Sequence, residues 1–385
     1  MYITSLISLF YRHPDYFWHG VSAYYPLSED ELERYGDLLH WQFVSQNQNI
    51  RWTTPMVERF VEQLHWDDFS GNRFFADDQQ INRFSSLVDW GFNHDVIGGS
   101  ILNNPSIRWD QNKIERYREK ISFVTLSRSE QVVWTPDLID RYLKDWDWDS
   151  LSGNWSLPWS LDFFRRYLTF WPLDSMFFLG NQGITGCLEI VEEFWELLSS
   201  STIFATEKLP WIQNQLLVKW GDKLNWLGLA CNPLLLHQPG FFEQHIRQWE
   251  EHQLFGFLSE NEGLPWTEEI FKRFIDRWDM TAISTNKALP WSDQFINRYE
   301  HVLEWGWHEW TLPDSEFDNP ENIISVHICH SGLVNNEGLP WSLEFVLKHE
   351  GKIDFQALND NPAAWENAFK PIVDRELIDM VFRLG

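Results

Sequence analysis

The chain has 385 residues, of which 57 are acidic and 30 basic, giving a net charge of −27. Charge of that sign and size argues against nucleic-acid phosphate or an anionic membrane as a partner over the bulk of the surface. Cys187, Cys231 and Cys329 lie far apart without paired spacing, which fits a reduced, cytoplasmic setting better than a disulfide framework.

The opening MYITSLISLFYRHPDYFW is aromatic and is interrupted by Arg12 and His13. It has no basic leader region or small-residue cleavage site, so the expectation is an N-terminal cap over residues 1–25, neither a signal peptide nor a membrane span. From residue 26 to 365 the chain reads as copies of one unit, clearest at residues 133–154, VWTPDLIDRYLKDWDWDSLSGN. Leu-Pro-Trp-Ser/Thr recurs at Leu157–Ser160, Leu264–Thr267, Leu289–Ser292 and Leu339–Ser342. Trp109, Trp134 and Trp159 are 25 residues apart, as are Trp266 and Trp291. A fixed period of this size marks a tandem array whose members cannot bury their apolar faces alone.

Within a unit, the proline before the tryptophan keeps the preceding segment out of helix, and the Ser or Thr after it is a good N-cap. Counting the tryptophan as zero, apolar residues at +4, +5, +8 and +12 (Leu138, Ile139, Tyr142 and Trp146) fall on one arc of about 100°. A further pair at +14 and +17, Trp148 and Leu151, predicts a short second helix, and Asn at +20 (Asn47, Asn72, Asn154, Asn286, Asn361) closes the turn, with left-handed geometry tolerated there. The competing reading is a leucine-rich-repeat horseshoe with a strand before the asparagine. It lacks the period-2 leucines, since Asp149 stands two before Leu151. The expected fold is therefore all-α: an α-solenoid of about fourteen helix–turn–short-helix repeats, one continuous domain with a capping helix over residues 366–385 and a contour on the order of 120 Å at roughly 8–10 Å per packed layer. Residues 93–105 form an extra loop by composition, and the copies at 184–208, 237–263 and 312–338 are worn.

The wording LPWS…RY…WDW…LSxN resembles tryptophan-rich tandem repeats of uncharacterised bacterial proteins, over about residues 26–365. The resemblance implies a repeat architecture and a bacterial source, and it carries no activity.

The most regular polar feature is a basic residue at +7: Arg34, Arg59, Arg83, Arg116, Arg141, Arg166, Arg273, Arg298 and Lys348. An acid often sits one turn earlier, as in Asp30–Arg34, Asp137–Arg141, Asp162–Arg166, Glu269–Arg273 and Glu344–Lys348. That order supports a helix by roughly 0.2–0.5 kcal/mol per pair and predicts surface ion pairs. The functional alternative is a cationic ladder along one groove, interrupted by Glu192, Glu193, Asp314 and Glu316 at worn copies. Most tryptophans fall at core positions, but Trp305, Trp307 and Trp310 in the run EWGWHEW cannot all turn inward and predict an exposed aromatic patch for a partner. His327, Cys329 and His330 are the compact set of soft metal ligands, though without the separated pairs of a zinc site.

No nucleophile elbow, phosphate-binding loop, dinucleotide fingerprint, HExxH or CxxC is present. The expectation is thus a non-enzymatic protein-binding scaffold without a cofactor, presenting an elongated concave surface to another protein with a basic face. Two alternatives stand beside it: an acidic immunity or inhibitor protein that neutralises a basic toxin or nuclease, and an aromatic-lined glycan binder. No membrane association is expected.

Overall fold

The computed structural model describes residues 2–92, 100–213, 215–306, 310–313, 323–326 and 332–384. The described chain is helical apart from two short antiparallel strands, Trp310–Pro313 and Ile323–Val326, with Trp310 opposite Val326. No described helix is long and apolar enough to cross a membrane.

The sequence unit becomes a pair of short helices. In the clearest copy these are Pro136–Arg141 and Trp148–Gly153. The first begins at an N-cap whose hydroxyl accepts the backbone N–H three residues on: Thr135 from Leu138, Ser160 from Phe163, Thr267 from Ile270, Ser292 from Phe295 and Ser342 from Phe345. The second is capped by an aspartate, as Asp147 and Asp279 show. Leu138, Ile139, Tyr142, Trp146 and Leu151 are all buried, as the helical period requires. Helices of six residues do not hold themselves together in water, so packing against the next unit supplies their stability. The second element is a helix, and among the described residues no strand immediately precedes the asparagine. An isolated parallel bridge between Trp109 and Val132 is the nearest thing to it.

The chain divides into two compact units: Val21–Leu229, and Met1–Gly20 together with Ala230–Gly385. One continuous domain was the sequence expectation. In Val21–Leu229, the loop expected over 93–105 is closed at its base by Ile101 N–H donating to Asp89 O at 3.0 Å, and residues 101–103 already form a turn of 3₁₀ helix. The worn copy at 184–208 keeps the helix pair, as Leu188–Glu193 and Ser200–Ala205.

In the other unit the copy at 237–263 also keeps its helices, Ile246–Glu251 and Phe255–Glu260. The copy at 312–338 is different. Asn336 Nδ2 donates to Ser284 O at 2.8 Å and Asn286 O at 3.2 Å, and Lys348 reaches Asp293 at 3.3 Å. The unit of Trp341 therefore packs directly on the unit of Trp291, with the segment 307–331, described only at 310–313 and 323–326, standing between them in sequence. The residues flanking that segment meet: Leu333 N–H donates to Glu304 O, and Gly332 lies so close to Gly306 that a Cβ on it would sit 2.4 Å from the Gly306 nitrogen.

The first helix, Tyr2–Arg12, does not cap an end remote from the C-terminus. Phe10 lies 5.4 Å from Phe369, the His13 ring stacks on Phe355 at 3.7 Å, and Tyr16 meets Phe355, Trp365 and Phe369 edge-on. Arg12 makes a two-pronged contact to Glu350, at 2.7 and 2.8 Å. Both chain ends have an apolar face to cover, and here they cover each other.

Candidate functional site

Three repeating polar devices run along the array, and the geometry of each decides what is left for a ligand. The first is asparagine. Asn47, Asn72, Asn104, Asn154 and Asn181 in one unit, and Asn261, Asn286, Asn336 and Asn361 in the other, are all buried. Each points its side-chain N–H at backbone carbonyls of the preceding copy: Asn154 reaches Ser127 O at 2.9 Å and Ser129 O at 3.1 Å, Asn72 reaches Ser45 O and Asn47 O, and Asn286 reaches Ser259 O at 2.8 Å. Its Oδ1 accepts the N–H two residues on, as in Ser156 to Asn154 and Ala288 to Asn286. The turn-closing role is therefore found, but with extended backbone, φ −78° and ψ 107° at Asn154, not left-handed. A buried serine is the second device. Ser127 donates to Phe123 O and accepts the N–H of Asp147, and Ser259 does the same between Phe255 O and Asp279.

The third is the Arg-Tyr pair at +7 and +8. Arg166 and Tyr167 both reach Asp140 of the preceding copy, and Arg298 and Tyr299 both reach Glu268. Arg59 bonds Glu29 at 2.7 Å and also meets Glu33, Arg83 bonds Glu58 at 2.9 Å, and Arg116 bonds Asp78 at 2.8 Å. For Arg166 and Lys348 the acid expected one turn back in the same helix is not the partner. The carboxylates used sit at +2 or +6 of the previous unit, because its helix lies alongside. Arg273 stacks over Phe274 at 5.0 Å and Arg34 over Tyr35 at 5.5 Å, while Arg141 is exposed. The tyrosines are held neutral: burial, then the Glu115 carboxylate, pushes Tyr142 up to about 12, and burial with Asp140 does the same for Tyr167. Glu268 is held below the usual carboxylate range, first by its bond from Arg298 and then by Tyr299.

Two of the acids expected to interrupt the ladder are themselves paired. Glu193 pairs with Arg165 and Glu192 with Lys219, while Asp314 and Glu316 lie outside the described residues. Six of the nine ladder residues are thus engaged by acids of a neighbouring copy.

Tryptophans behave as core with a tether. The Nε1 of Trp146, Trp171, Trp249 and Trp278 donates to the carbonyl seven residues earlier, and that of Trp159, Trp266, Trp291 and Trp341 to the asparagine five residues earlier. Of the aromatic stretch, Trp305 is half-buried, its ring 4.9 Å from the His349 ring and its Nε1 without an acceptor among the described residues. Burial, foremost, keeps His349 below the ordinary histidine value. Trp307 and the side chain of Trp310 lie outside the described residues, as do His327, Cys329 and His330. Among the described residues no three metal-capable side chains cluster. Cys187 and Cys231 are free thiols, both pushed up chiefly by burial.

Sequence reasoning found the arginines but not their partners. The signal was present in acids at +2 or +6 of a preceding copy, which pairing within one helix does not reach. Comparison with protein-family models, with curated proteins and with solved structures gives no match, so the reading of this chain rests on its own residues.

Proposed function

We propose that the chain is a non-enzymatic binding scaffold, an α-solenoid of stacked helical units that engages another protein with a basic face. The observation that carries this reading is the fate of the cations. Arg59, Arg83, Arg116, Arg166, Arg298 and Lys348 are all engaged by acids of a neighbouring copy. Acids outnumber bases 57 to 30 over the sequence, so the carboxylates left over set the sign of the surface field. Such a field steers cationic partners and repels anionic ones. Stacked units supply a broad surface for that purpose.

The test is capture of partners at about 50 mM and about 500 mM salt, since screening weakens an electrostatically steered complex. The expected outcome is a dominant basic partner that is lost at high salt. Retention of an acidic partner at both salt concentrations overturns the reading. The inhibitor alternative shares the electrostatics and is separated by activity: a basic nuclease or toxin silenced by stoichiometric addition of this chain would establish it.

A further inference from the structure

One cleft departs from the pattern of spent cations. It lies between two consecutive copies in Val21–Leu229, has a volume of about 670 Å³, and is lined by Arg51, Trp52, Thr53, Thr54, Arg73, Phe74, Asp77 and Gln80, among others. That volume lies in the range of small-molecule sites. Arg51 and Arg73 are exposed, and neither guanidinium has an ion pair or hydrogen bond among the described residues. Their neighbours Arg59 and Arg83, by contrast, are each held by an acid of the preceding copy. Two unspent guanidiniums at one opening, in a chain with so many carboxylates, mark a place where the local field favours an anion.

The walls say more about the ligand's body. Trp52 and Phe74 are half-buried and present ring surface to the cleft. Trp52 also breaks the tether seen elsewhere: Trp159, Trp266, Trp291 and Trp341 donate to the asparagine five residues earlier, whereas the Trp52 Nε1 is buried with no acceptor among the described residues. The opposite wall is polar and already organised. Thr54 Oγ1 donates to Gln80 Oε1 at 3.2 Å, which leaves the Gln80 amide N–H groups free to donate, and Asp77 is tied to the Gln79 N–H. Asp77 adds one negative charge to the lining, which disfavours polyanions and suits a ligand with a single anionic head.

We propose that this cleft binds a small ligand carrying one oxyanion head, phosphate or carboxylate, on a flat aromatic body. The head faces Arg51 and Arg73, whose forked N–H groups match both kinds of oxyanion. The body rests against Trp52 and Phe74. The site does not depend on the protein-binding reading.

Titration calorimetry with phenyl phosphate, benzoate and inorganic phosphate, on the full chain at low salt, tests it. Wild type is expected to bind phenyl phosphate or benzoate more tightly than inorganic phosphate, and the better of the two identifies the head. Arg51→Ala with Arg73→Ala is expected to weaken that binding by about tenfold or more. Arg73→Gln alone serves if the double variant loses its circular dichroism. Trp52→Phe assigns the Trp52 indole N–H resonance, which should shift on saturation in wild type. Absence of binding by all three probes overturns the proposal. So does equal binding by a folded arginine variant, or an unmoved Trp52 resonance at saturation.

Discussion

At the scale of single residues, the buried asparagine is the most consequential position in the unit. Asn154 satisfies two carbonyls of the preceding copy and one N–H of its own turn, all away from water. Asn154→Ala leaves those groups unpaired, at about 1–3 kcal/mol for each that water cannot reach. The expected loss of stability is about 3 kcal/mol, read as a lower urea midpoint. A loss below about 1 kcal/mol would mean that water enters and replaces the amide. The buried tyrosines give a second prediction. Tyr142 and Tyr167 lose their protons near 12 in the folded chain and near 10 once unfolded. A raised value for an acid means that folding favours its neutral form. The stabilisation is therefore complete below about pH 10 and lost as pH rises through about 12. Tyr142→Phe with Tyr167→Phe should remove two phenols from the late-titrating phenolate absorbance, to which Tyr117 and Tyr299, also raised, contribute as well. Ionisation of Tyr142 and Tyr167 near 10 in the native protein would contradict the assignment.

Elements of the unit were legible in proportion to how local their causes are. Pro-Trp-Ser/Thr followed by an apolar arc specifies where a helix starts and which face it buries, and Ser160, Ser292 and Ser342 cap as expected. The partners of Arg166 and Arg298 were not legible from one helix, because they belong to the neighbouring copy and depend on the stagger between copies. The neighbour of the Trp341 unit was not legible for a related reason. Fitting a period assigns a unit to any stretch of the right length, whereas the bonds from Asn336 to Ser284 and Asn286, with Lys348 to Asp293, set the Trp341 unit against the Trp291 unit. Between elements, one close approach to backbone is at a glycine. A Cβ on Gly263 would lie 2.1 Å from Pro233 O and 2.3 Å from its Cα, and neither backbone atom can move aside alone. Gly263→Ala should therefore cost about 1–3 kcal/mol by overpacking. Gly221→Ala, with nothing within 4 Å of the new methyl, should cost nothing of the kind. Equal melting temperatures for the two variants would show that the turn before Trp266 yields.

For the molecule as a whole, the two chain ends form one core within the unit of Met1–Gly20 and Ala230–Gly385. The contact is both apolar and ionic. Phe10, Phe17 and Tyr16 pack with Phe355, Trp365 and Phe369, and Arg12 with His13 closes on Glu350. The bond from Arg12, helped by His13, holds the Glu350 carboxyl below its ordinary value. Its contribution is therefore present above the unfolded value and lost as pH falls through the folded one. Surface-side ion pairs are worth little, about 0–1 kcal/mol, so the rings should dominate. Phe10→Ala, which empties a fully buried site, is expected to cost about 3–5 kcal/mol, and Arg12→Ala much less. Because units in an array touch mainly their neighbours, the damage should be local in hydrogen exchange. Amides of Phe355–Leu358 and Arg375–Phe382 should lose protection in Phe10→Ala, while those of Pro136–Arg141 and Trp148–Gly153 keep theirs. A uniform loss over all four segments would mean that the chain unfolds as one cooperative body and that the ends are not a separable joint. Unchanged protection at Arg375–Phe382 would mean that the first helix is a passenger on the C-terminal core rather than part of it.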